Sequence, residues 1–154
     1  VLASIDAQIA ELTALETTPT SEDLAYGVDL SGVADVTEDL AEVSPVSAVG
    51  IGQAALRRIT TMRGTLPDDP DYGIDLRAYC NRGVTAQELR DLAGQTRLEL
   101  LKDDRLDDAA VTVTTPSPST IQVLVTLTPS DHRLTQFSRT FAVTSGSAAI
   151  EEIG

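Results

Sequence analysis

The residues in this chain able to do chemistry are mostly acids, and the first question is whether their spacing assembles a site. Asp68, Asp69, Asp71 and Asp75 suggest calcium. With Asp69 at the first position of a calcium-binding helix–loop–helix, Asp71 falls at the third. The glycine needed at the sixth position is then Ile74, and the closing glutamate at the twelfth is Cys80. The pattern fails, leaving a solvated loop whose acids pair with Arg57, Arg58 or Arg77. A second cluster, Asp103-Asp104 and Asp107-Asp108 around Arg105, also lacks ligand spacing and reads as a polar turn between a helix and a strand. No metal site and no cofactor is expected.

Acid–base and nucleophilic chemistry fare no better. Glu88 and Asp91 are spaced like a carboxylate pair for glycoside hydrolysis. Nothing in a helix surface would raise the pKa of one of them, as such catalysis requires. Ser130-Asp131-His132 contains the residue types of a catalytic triad, but triads assemble from distant segments, and His132 is expected on the surface. Gly50-Ile51-Gly52 lies within a helical pattern, without the preceding strand or third glycine of a phosphate loop. No catalytic residue is assigned.

Composition narrows the partners. The 154 residues suffice for one domain with a core, and 42% of them are hydrophobic. Aromatics are only 3%, so the core is aliphatic and there are few rings for single-stranded bases to stack on. A net charge of −13 disfavours nucleic acid and anionic membrane. Residues 1–56 carry ten acids and no base, an acidic arm that stays solvated or meets a basic partner. One cysteine, Cys80, excludes an intramolecular disulfide and suits a reducing compartment. No apolar run reaches the length of a membrane span, and the N-terminus lacks the basic start of a signal peptide. The first residue is Val1, so an initiator was removed or residues precede it.

The elements that must position these residues follow from periodicity. Leu2, Ile5, Ile9, Leu12 and Leu15 make one stripe of an amphipathic N-terminal helix, and Thr17 to Ser21 forms a hinge. Leu24, Tyr26, Val28 and Leu30 alternate, Ser31-Gly32 signals a turn, and Val33–Val36 completes a small hairpin. Ser44-Pro45 predicts a helix start, with Val49, Gly52, Leu56, Ile59 and Met62 as its buried stripe. Gly50 and Gly52 suit that helix only where another backbone packs closely. Arg57, Arg58 and Arg63 gather where the helix dipole favours cations, and Gly64 is the expected C-terminal cap.

Ile74, Leu76, Tyr79 and Cys80 predict a short helical turn. Thr85-Ala86-Gln87-Glu88 is a capping box opening a helix over 86–102, with Leu89, Leu92, Ala93, Thr96 and Leu100 inward. Three alternating strands follow, around 111–114, 121–128 and 137–144. The expected fold is α+β: a small antiparallel sheet packed with two or three helices, plus the N-terminal amphipathic helix. The organisation is an arm and hinge over 1–20, the α+β domain over 21–145, and 146–154 as a loose tail or an extra strand that pairs with another chain. The likeness of Tyr26-Gly27-Val28-Asp29-Leu30 to Tyr72-Gly73-Ile74-Asp75-Leu76 is too short for a repeat and reads as two similar turns.

The order of several features resembles the sheath-initiator family of contractile phage tails, baseplate wedge proteins often called "lysozyme-like", with relatives in type VI secretion systems and contractile bacteriocins. The features are Asp29-Leu30-Ser31-Gly32-Val33, Asp39-Leu40, Val43-Ser44 before a helix, the run Leu56 to Gly64, and Asp71-Tyr72-Gly73-Ile74-Asp75-Leu76. The resemblance covers about residues 29–145, and its most specific part is the spacing of Thr-x-Arg-Gly to Asp-Tyr-Gly. It implies a structural protein of the virion's tail baseplate, present in the host cytoplasm during assembly. Such a protein joins wedge proteins to the first sheath ring, in multiple copies with six-fold symmetry, near the tube or hub.

The resemblance makes Arg63, Gly64, Tyr72, Gly73, Asp75 and Leu76 scaffold residues. It matches the family's Glu-Pro-Arg docking turn to Asp103, Asp104 and Arg105, where the proline is absent and the acid is shorter or displaced by one. It makes the strand bearing Phe137, Arg139, Phe141 and Val143 sheath-facing, through strand addition between chains. Two rival readings stand beside it: a peptidoglycan-degrading muramidase of the baseplate, and a non-tail adaptor using its acidic N-terminal helix.

Overall fold

The computed structural model describes residues 26–30 and 42–151, and side chains as far as 148. The expected N-terminal helix and hinge, and the expected second hairpin strand at Val33–Val36, lie outside the described residues. Strand β1 (Asp29–Leu30) pairs antiparallel with β2 (Glu42–Val43) in a separate two-stranded ribbon.

Helix α1 spans Ala48–Thr60. Its N-cap is Ser47 rather than Ser44, and the Ser47 hydroxyl accepts the Gly50 N–H at 3.0 Å. Ser44 instead builds the preceding turn, its carbonyl accepting the Ser47 N–H at 3.1 Å. That turn lies against the helix, and a Cβ on Gly50 would collide with the Ser44 carbonyl. This close approach requires glycine and fixes the helix's rotation. The buried stripe is therefore Ile51, Ala55 and Ile59 with Gly52, while Val49 and Met62 are exposed, against expectation. Gly52 faces the Arg139 side chain at ordinary contact distance, not a backbone. The helix ends at Thr61, whose N–H and hydroxyl both donate to the Arg57 carbonyl. Gly64 is thus not its cap. It sits in a later exposed turn at φ +83° and donates to the Pro70 carbonyl.

A 3-10 turn at Leu76–Tyr79 buries Leu76. Helix α2 runs Ala86–Leu100 behind the predicted capping box: Thr85 accepts the Glu88 N–H, and Glu88 accepts the Thr85 N–H at 2.8 Å. Its buried residues are Leu92, Thr96, Glu99 and Leu100.

The sheet has four antiparallel strands in sequence order: β3 (Leu106–Ser117), β4 (Thr120–Pro129), β5 (Phe137–Thr144) and β6 (Ala148–Glu151). β3 is longer than its alternation predicts. Register shifts at both of its ends, between Leu106 and Asp108 and between Thr114 and Ser117, absorb residues that break the two-residue period. β6 extends the sheet by pairing with β5 of its own chain. Ala109, Val113, Ile121, Val123, Val125, Leu127, Phe141 and Val143 share one face with the inward residues of both helices, forming a single aliphatic core with one phenylalanine. Burying each such large side chain contributes roughly 1.5–3 kcal/mol. Among the described residues the fold is the expected α+β arrangement, with two helices on one side of a small antiparallel sheet.

Candidate docking surface and the carboxylate beneath it

Of the residues expected to form the scaffold, Arg63 and Gly73 meet one side chain, Glu99, in the last turn of α2. It is 1% exposed. One oxygen, Oε1, accepts the Gly73 N–H at 2.8 Å and Arg58 Nη1 at 3.4 Å. The other, Oε2, faces Arg63 Nη2 at 2.9 Å and Lys102 Nζ at 2.8 Å. Arg63 Nε also donates to the Gly73 carbonyl at 3.1 Å, so both polar groups of Gly73 are bound. Burial pushes the Glu99 carboxyl up, but the Lys102 and Gly73 hydrogen bonds and the charges of Lys102 and Arg63 outweigh it, and the net pKa is lowered.

The loop is pinned around this knot. The Arg58 guanidinium lies 4.5 Å from the Tyr72 ring centroid. The Arg58 carbonyl accepts the Ile74 N–H at 3.1 Å. Lys102 Nζ reaches the Asp71 carbonyl at 2.7 Å. Asp75 adopts φ +49° and pairs with Arg77 at 2.9 Å, while Arg77 Nη2 donates to the Thr60 carbonyl at 2.5 Å. Of the expected arginine–aspartate pairs within this stretch, the Arg77–Asp75 pair is present. Arg57 instead meets Asp29 at 2.6 Å, and Arg58 meets Glu99.

Sequence reasoning did not single out Glu99. The signal was present: residues 92, 96, 99 and 100 lie on one helical stripe, and an acid on an apolar stripe needs a cation.

Asp103, Asp104 and Arg105 lie in the turn between α2 and β3. Asp103 is buried, and Arg105 grips it through Nε at 2.8 Å and Nη2 at 2.5 Å. Burial raises the Asp103 carboxyl, but hydrogen bonds and charge from Arg105 outweigh this and lower it overall. Arg105 Nη1 donates to the Pro45 carbonyl at 2.8 Å, fastening the turn to the segment before α1. Arg105 therefore acts within the chain, and Asp104 is the acid of the turn exposed to solvent. The turn lines a groove of ≈ 380 Å³ whose walls include Tyr26, Asp29, Arg57, Arg58 and Lys102.

The strand expected on the sheath side is an inner strand of the sheet. β5 lies between β4 and β6, and Phe141 and Val143 are 0% exposed in the core. Phe137 is half-buried against that core, and Arg139 lies over the Phe137 ring at 5.2 Å. Over Thr140–Val143 β5 is paired on both sides, and among the described residues the outer strands are β3 and β6.

The catalytic candidates are engaged otherwise. Glu88 is held by the Thr85 backbone N–H and hydroxyl, which lower its pKa, the opposite of a general acid. Asp91 accepts Gln87 Nε2 at 2.8 Å. Asp131 pairs with Arg133 at 2.7 Å, and His132 is exposed beside it. Burial pushes the Cys80 thiol up, disfavouring the thiolate. Among the described residues, no group of three His, Cys, Asp or Glu side chains could hold a metal ion. No helix among them is long and apolar enough to cross a membrane. Comparison with protein-family models gives no match, and comparison with curated protein sequences finds no relative.

Proposed function

We propose that this chain is a non-catalytic structural protein of a contractile-tail baseplate, linking wedge proteins to the first sheath ring and nucleating sheath assembly. The observation that carries the reading is the edge of β6. This strand is hydrogen-bonded to β5 on one side, and no strand lies on its other side among the described residues. An open backbone edge accepts an extended segment of another chain through main-chain bonds. The resemblance supplies the identity of that partner, the tail sheath protein, and places the wedge at the Asp103–Arg105 turn and its groove. The Glu99 knot supports the same reading. The motif carrying the resemblance, Arg63 to Gly73, acts here as a rigid brace between α1 and α2.

The test removes residues 148–154 and leaves β5 intact, because a longer deletion would take Phe141 and Val143 out of the core. Tails assembled with the shortened chain should carry a complete baseplate and no polymerised sheath by electron microscopy. Extended sheath of normal length on those tails would overturn the proposal.

A further inference from the structure

The sheet has two outer strands, and they are not equivalent. In an antiparallel ladder the N–H and C=O of one residue point to the same side, alternating toward and away from the neighbouring strand. At Ala109 in β3 both groups are taken by side chains. The N–H donates to Asp108 Oδ1 at 2.8 Å, and the C=O accepts Arg97 Nε at 2.8 Å. Both therefore point away from β4, along the outer edge. Arg97 Nη2 closes the arrangement on Asp108 Oδ1 at 2.7 Å. Arg97 stands on the last turn of α2, so the helix places its guanidinium beside the edge. Together the two side chains satisfy the backbone groups that an added strand would bind.

The two ends of β3 are irregular as well. Register is broken between Leu106 and Asp108, and again between Thr114 and Ser117, where Pro116 has no N–H to offer. Bulges, edge prolines and charges are the known means of blunting an exposed strand. β6 has no bulge and no proline: its pairing with β5 is regular from Ala148 to Glu151, and its one charged residue is Glu151 at its end.

A sheet with two open edges invites head-to-tail growth, because β6 of one copy can add to β3 of the next. Such a heterologous contact grows into a filament unless its rotation closes a ring. We infer that Arg97 and Asp108 form an edge clip that closes β3 to β6 of a second copy, making the sheet receptive to strand addition on the β6 side alone. The inference stands on the sheet geometry and does not depend on the tail assignment.

Two measurements test it on the full chain. In amide hydrogen exchange, the Ala109 N–H should exchange about tenfold or more slowly than the Val111 N–H, which shares its outward orientation without the clip. Equal or faster exchange at Ala109 would overturn the clip. In sedimentation over a wide concentration range, the chain should keep a constant mass. The Arg97→Ala/Asp108→Ala double variant, shown folded by circular dichroism, should rise about twofold or more in mean mass. Removing residues 148–154 from that variant should abolish the rise. A double variant of constant mass, or growth that survives loss of β6, would sink the inference.

Discussion

The Gly73 N–H donates to Glu99 Oε1 at 2.8 Å across 26 residues of sequence, and the bond forms because Gly73 adopts φ +93°. In that conformation the loop passes so close to α1 that a Cβ on Gly73 would collide with the Thr61 carbonyl. A glycine and a buried carboxylate thereby join the end of one helix to the end of the other. Arg63 closes the join from outside, donating to both partners.

Two glycines in this stretch should respond differently to the same substitution. Gly73→Ala adds a backbone collision to a strained φ and should cost about 3 kcal/mol or more. Gly64→Ala, at φ +83° with open space around the position, should cost only the strain, about 1 kcal/mol. Urea denaturation of both variants checks this, and equal midpoints would show that the contact at Thr61 has no weight.

The Glu99 and Asp103 carboxyls are both held below their ordinary range. In the unfolded chain such groups titrate near pH ~4. Their contribution to stability is therefore complete above that value and is lost as pH falls through their lower folded values. The denaturation midpoint should stay nearly level from about pH 7 to pH 5 and drop below about pH 4. Glu99→Gln keeps an acceptor for Gly73 but leaves Arg58 without its charge partner, and should cost about 3 kcal/mol at neutral pH. It should also flatten the acid limb. A variant with the wild-type pH profile would show that Glu99 is not among the groups responsible.

Arg105 ties Asp103 to the Pro45 carbonyl, so its loss should be felt in stability as well as in docking. Arg105→Ala leaves a buried carboxylate unpaired and should destabilise the chain by roughly 3 kcal/mol. Arg105→Lys keeps the charge but loses the fork that spans both partners, and should recover only part of that. Thermal denaturation of the two variants decides it: if alanine and lysine behave alike, the fork geometry does not matter. Asp104→Ala, which removes the exposed acid of the same turn, should leave the melting temperature unchanged.

Much of this was legible in the chain. The capping box at Thr85 and Glu88 marks where α2 begins, because both bonds form among four consecutive residues. The alternation in β4 and β5 gives the sheet its inner face, because period two is a property of the strand itself. What the sequence did not determine is what depends on distance across the fold. The rotation of α1 is set by the Ser44 turn lying over Gly50, so Ile51 and Ala55 join the expected Gly52 and Ile59 on the buried stripe, while Val49 and Met62, which periodicity selects, are exposed. Glu99 reads as one more helix-surface acid until Arg58, Arg63 and Gly73 arrive from another segment. Phe137 to Val143 reads as an available strand until β6 pairs with its Thr140–Val143 half. Local periods fix the inward face of β4 and β5; tertiary packing decides how α1 is rotated, which charges meet and which edges stay open, because those depend on how separate segments pack against one another.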